Sequence, residues 1–168
     1  MFGQMDKGML YVILGVLVLM SIGNLQNGGL EHILLILPGI IIAITFHEFA
    51  HAYAADKLGD TTPRNQGRLT LNPLTHLDPV GTIVLIFAHV GWGKPVQINP
   101  NNFTSNKSRQ TCEAWVSLAG PLMNFFIAFI GTIIFVAVAK YVPDASNMTM
   151  LMYFMQITIV VNIGLRSF

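Results

Sequence analysis

The sequence predicts a mainly α-helical, polytopic transmembrane protein with four to five membrane segments and a small β element between them. Two observations carry this. Of 168 residues, 53% are hydrophobic and only 10% are charged, against about 25% charged in soluble domains, and mean hydropathy is +0.60. The apolar residues also gather into five blocks separated by polar or Gly/Pro-bearing stretches. The length suggests one domain over 1–168. A net charge of +1 without a Lys/Arg cluster gives no reason to expect a nucleic-acid partner. One cysteine, Cys112, excludes an intrachain disulfide framework and a multi-cysteine zinc site. It reads as a packed or lipid-facing thiol.

The first block, Met9 to Ile22, is short for a span and is followed by no small-x-small cleavage site, so an uncleaved first helix is expected. The second, Ile33 to Ala55, would cover about 34 Å as a helix, enough to cross the hydrocarbon core. Pro38-Gly39 predicts a kink within it. The third, Leu77 to Trp92, suits either a span or a re-entrant segment. The fourth, Ala114 to Ala139, carries no charge and reads as a transmembrane helix. The fifth, Thr149 to Leu165, includes Gln156 and Asn162. Basic residues collect in two loops, Lys57/Arg64/Arg68 and Lys94/Lys107/Arg109, whose sidedness depends on whether the third block crosses. Two loop stretches look strand-like, Gly67 to Pro73 and Gly93 to Phe103, with prolines keeping each short or at an edge.

The end of the second block reads "HEFAH". On a helix, residues i and i+4 lie about 40° apart around the axis, so His47 and His51 project from one face. That spacing lets two imidazole nitrogens reach one zinc ion. Glu48 would orient and deprotonate a water at the metal. The plainer alternative is a pair of interfacial histidines with a solvated carboxylate. Ionisable groups within a membrane helix are expensive and mark function, which favours zinc.

Further motifs follow in order. "NPLTHLDPVGT", "GWGKPVQINPNNF" and "AGPLMN" stand after the HExxH helix, and together they span about Thr45 to Ala128. In these four motifs the chain resembles the site-2 protease family of intramembrane zinc metalloproteases, in its compact bacterial form. The resemblance implies hydrolysis of a peptide bond in or near a transmembrane segment of a substrate protein. It also implies one Zn2+ per chain held by His47 and His51, with Glu48 as the catalytic base and acid. The setting it implies is a multi-pass protein in the plasma membrane of a prokaryote, with the lipid bilayer and a transmembrane substrate as partners.

In this family the third zinc ligand is an aspartate in a late L-D-G motif. This chain reads "VVNIGLRSF" to Phe168, so the resemblance leads one to expect a C-terminally incomplete domain. The in-chain alternatives are Asp78 and His76 in "THLDPVG", each with a structural reading beside it, in a turn or on a carbonyl. Asp60, Asp144 and Glu31 are weaker candidates in loops. Asn124 would bind a substrate backbone or an oxyanion, or else bond between helices. Gly120 and Ala119 read as close-packing residues, and His89 and His32 as structural or interfacial. Two other functions remain open: a catalytically silent scaffold of the same fold, and a zinc or proton transporter. The transporter would need ionisable groups on several spans, and the fourth and fifth blocks offer only amides.

Overall fold

The structure, a computed structural model, describes residues 30–82, 93–141 and 149–164. The first apolar block, most of the third with His89, Asp144, and the side chains of Glu31 and His32 lie outside the described residues. The described chain is mainly helical. Three long helices, α1 (Leu30–Lys57), α3 (Arg109–Tyr141) and α4 (Thr149–Gly164), each pack on the other two, and the short α2 (Thr62–Asn65) packs on α1.

The helices meet through small residues. Gly39 of α1 faces Thr158 of α4, Gly131 of α3 faces Ile159 of α4, and Gly120 of α3 faces the α1 histidines. Ala43, Ala52 and Ala55 are fully buried along α1. Close backbone approach through small residues is how helices associate where lipid removes the hydrophobic drive between them. The large apolar side chains point outward: Trp115, Leu122, Phe125, Phe129 and Ile133 of α3 are all about half exposed or more. At 33 residues, α3 is long and apolar enough to cross a membrane, which among the described residues is true of this helix alone.

Buried α3 positions recur every fourth residue: Cys112, Val116, Gly120, Asn124 and Ala128. A step of four advances 400° at 100° per residue, so this stripe drifts about 40° per turn. It therefore faces α1 at its start, where Val116 and Gly120 meet His51, and α4 further on, near Gly131 and Ile159. Polar side chains in the helices turn back on their own backbone. Thr132 donates to Ala128 O, Thr158 to Phe154 O and Asn162 Nδ2 to Thr158 O, each at 2.8–2.9 Å, which satisfies these donors without water, while Asn162 Oδ1 is buried without a partner.

The two strand-like stretches form no strand among the described residues; an isolated antiparallel bridge joins Gly93, at the start of the second, to Leu77, which lies beyond the first. The reason lies in where the backbone groups go. Lys94 N–H donates to His76 O at 2.7 Å, but the carbonyls of Lys94 and Pro95 are taken by the Arg68 guanidinium at 3.0 and 3.1 Å. Val96 N–H goes to a carboxylate of α1. Side chains thus occupy the groups that a ladder would use.

Arg68, only 5% exposed, also donates to Thr75 O. Asp60, fully buried just past α1, accepts from Thr62 N–H, Thr62 Oγ1, Asn99 N–H (2.6 Å) and Asn102 Nδ2. Thr104 N–H reaches Leu58 O at 3.0 Å. That crossing requires Gly59, at φ +106°, where a side chain would strike Thr104. These contacts fasten the 93–104 segment over the C-terminal end of α1.

Candidate metal centre

His47 and His51 lie one turn apart on α1 with ring centroids 4.7 Å apart and planes at 80°. His47 is 6% exposed. His51 Nδ1 lies 2.6 Å from Val116 O. A carbonyl only accepts, so Nδ1 carries the proton and Nε2 keeps its lone pair, the arrangement typical of metal-ligating histidines. Both Nε2 atoms converge on one space in front of Gly120. A Cβ placed there would lie 2.6 Å from His47 Nε2 and 2.7 Å from His47 Cε1, and closer still to His51 Nε2. The missing side chain leaves a cradle at the two Nε2 atoms, donors of the type zinc takes.

Glu48, between the histidines in sequence, accepts Val96 N–H at Oε2, 2.9 Å away. This bond joins the motif helix to the "GKPV" segment. Asn124, one turn beyond Gly120 on the same stripe, is fully buried, and neither its Oδ1 nor its Nδ2 has a protein partner. Thr45 Oγ1 and His47 Nδ1 are likewise buried without one.

The two proposed in-chain third ligands are placed elsewhere. Asp78 accepts Gly81 N–H at Oδ1 (2.7 Å), and its carbonyl takes Thr82 N–H, so it caps the helical turn that begins at Pro79. Asp-Pro at the start of a helix does this because the proline has no N–H to satisfy and the carboxylate accepts from the next turn. His76 is fully buried with Nε2 2.8 Å from Thr70 O. Among the described residues no group of three His, Cys, Asp or Glu side chains gathers as a metal site. The structure therefore brings together His47, His51 and, beside them, Glu48, but not Asp78.

Three parts of the site escape sequence reasoning. The Val116 carbonyl and the Val96 amide are main-chain atoms, which no residue type announces. Gly120 reads as a packing residue, and only its position against the imidazoles gives it a second meaning.

Asp60 lies in the loop just past the C-terminal end of α1. Burial pushes its carboxyl pKa up, but the hydrogen bonds from Thr62, Asn99 and Asn102 outweigh this and hold it below the usual range. The Asp56 carboxylate at 2.6 Å raises the Arg64 pKa further.

Comparison with known proteins adds independent support. The chain is 46% identical over 102 residues to "Putative zinc metalloprotease YwhC" of Bacillus subtilis, a match covering 61% of this chain and 45% of that protein. It is 36% identical over 101 residues to "Putative zinc metalloprotease Rip2" of Mycolicibacterium smegmatis, covering 56% and 37%. It is 31% identical over 100 residues to the Rip2 of Mycobacterium tuberculosis, covering 57% and 38%. The chain thus spans less than half the length of the curated relatives it matches. No family model and no solved structure matches. Relatives so named, together with the four motifs in order along one helical chain, support a family of the site-2 protease type for this protein.

Proposed function

We propose that this protein is an intramembrane zinc metalloprotease, hydrolysing a peptide bond in or near a transmembrane segment of a substrate protein. The observation that carries the reading is the convergence of His47 and His51 Nε2 on the space left by Gly120. His47 and His51 would hold one zinc ion per chain. When bound, zinc supplies Lewis acidity towards the scissile carbonyl and makes water nucleophilic at neutral pH.

The chain's own residues do the rest. Val96 N–H fixes Glu48 through Oε2, leaving Oε1 to take the proton of the attacking water and return it to the leaving nitrogen. Val116 O holds the His51 ring so that Nε2 faces the site. The Asn124 amide, buried without a protein partner, would bind the substrate backbone or the developing oxyanion.

A helical substrate must unwind first, because its carbonyls are closed in intrahelical bonds. Once extended, it needs backbone partners. The segment Val96–Ile98, beside Glu48, and Leu69–Leu71 are the edges proposed to receive it. The setting is a prokaryotic plasma membrane crossed by four to five segments, with α1 and α3 among them.

The test is zinc per chain in detergent-purified protein, with cleavage of a membrane-spanning reporter. About one zinc is expected, lost in His51→Ala. Glu48→Gln should keep the metal and lower cleavage about 10²–10⁴-fold. Zinc retained by the His47→Ala/His51→Ala double variant overturns the assignment. A wild type that takes up none favours a catalytically silent scaffold, the reading supported by the lack of a third ligand among the described residues.

A further inference from the structure

Along the contact of α1 with α3 runs an apolar groove that the proposed chemistry does not use. Two cavities of about 290 and 310 Å³ succeed one another there and share Ala54, Ala119 and Leu122. The first extends between Phe49 and Phe126, and the second ends at Lys57, Lys107 and Trp115. The small side chains of Ala54 and Ala119 leave the hollow, and Tyr53, Trp115, Leu122 and Phe126 are each roughly half exposed along it. None of His47, Glu48 and His51 lines it.

The charge at one end distinguishes this groove from an ordinary lipid-facing furrow. Lys57 Nζ sits 5.3 Å from the centroid of the Tyr53 ring, and Lys107 Nζ 4.8 Å from that of Trp115. Amphipathic aromatics and snorkelling lysines of this kind belong at the membrane–water boundary. The neighbouring carboxylates are already neutralised: Asp56 pairs with Arg64 at 2.6 Å and Glu113 with Arg109 at 2.9 Å. Among the described residues Lys57 and Lys107 have no carboxylate partner, and both border the same cavity. Two uncompensated cations at one end of an otherwise apolar channel are complementary to an amphiphile with an anionic head and a hydrocarbon tail. An apolar protein helix would fill the furrow but leave both ammonium groups unanswered.

We propose that the α1–α3 groove seats one anionic phospholipid, its phosphate between Lys57 and Lys107 and an acyl chain along Ala54, Ala119 and Leu122 towards Phe126. Basic pockets between membrane helices hold lipid headgroups in this way. The site rests on the reading of α1 and α3 as membrane segments, and it would let anionic lipid brace the helix pair that carries the histidines.

The test places a photoreactive benzoylphenylalanine at Leu122 of the full chain, in nanodiscs of phosphatidylcholine with a minor share of phosphatidylglycerol. Crosslinked phosphatidylglycerol is expected well above its bulk share. Lys57→Gln and Lys107→Gln should each lower that enrichment roughly fivefold. Lys140→Gln, over Tyr141 at the other end of α3, should leave it unchanged. Crosslinks in bulk proportion, enrichment that survives the double substitution, or crosslinks to protein instead of lipid overturn the proposal. An alkaline carbonate wash of cell membranes separates the two readings. Protein washed off overturns the membrane assignment and the site with it, whereas protein retained without enrichment overturns the site alone.

Discussion

Substituting Gly120 by alanine adds one methyl group to α3 and should disable the histidine pair. The new Cβ would lie 2.6 Å from His47 Nε2, where ordinary contact begins at about 3.4 Å. Either α3 retreats from α1 by at least about 0.8 Å, since His51 Nε2 lies closer still, or the imidazoles rotate away. A retreat of that size lengthens the His51 Nδ1 to Val116 O bond from 2.6 Å to about 3.4 Å, outside the usual range. Overpacking of this kind costs about 1–3 kcal/mol, and loss of an orienting partner weakens metal binding about 10–100-fold. Alanine is the better helix former by about 1 kcal/mol, so propensity alone predicts the opposite sign. The assays are a thermal melt in detergent and a zinc titration against a competing chelator. A Gly120→Ala protein that melts no lower than wild type and binds zinc as tightly would refute the steric argument.

Asn124→Leu should raise the melting temperature while lowering cleavage, because it removes a buried amide without protein partners, at a cost of about 1–3 kcal/mol. A lower melting temperature would mean instead that the amide bonds between helices. Asp60→Asn should cost about 1.5–3 kcal/mol at neutral pH, since four hydrogen bonds lose their ionised acceptor. The carboxyl is depressed in the folded protein, so its contribution is complete above the unfolded value near 3.9 and is lost as pH falls through the lower folded one. Melts between pH 7 and pH 3 should therefore show a steeper acid loss in wild type than in the variant.

Much of the helical frame was legible because it depends on composition and spacing. The uncharged run from Ala114 to Ala139 lies wholly within α3, and Ile33 to Ala55 within α1. The common face of His47 and His51 followed from helical geometry. The strand-like alternation in "GRLTLNP" and "GKPVQINPNNF" misled, because period-two patterning says nothing of whether a side chain will take the backbone groups first. Arg68, read only as a loop charge, is 5% exposed and takes those carbonyls. Asp60 looked like an ordinary loop carboxylate, and its role as a fastening depends on Asn99 and Asn102, some forty residues away in the chain. Such long-range partnerships leave no local periodicity.

Two of the three HExxH side chains take their aim from main-chain atoms of other segments, His51 from the carbonyl of Val116 and Glu48 from the amide of Val96. No exchange of the Val116 or Val96 side chain deletes either partner short of proline at 96, so their influence is invisible to an alanine scan and to any count of shared residues. What tunes the pair is distance: how far α3 stands from α1, and how tightly the 93–104 segment is tied down. In the proposed membrane setting, bilayer thickness, lateral pressure or a bound lipid would act on such distances directly. On the proposed reading, the aim of the histidine pair would be written into helix separation, and the bilayer itself would become a variable of the chemistry.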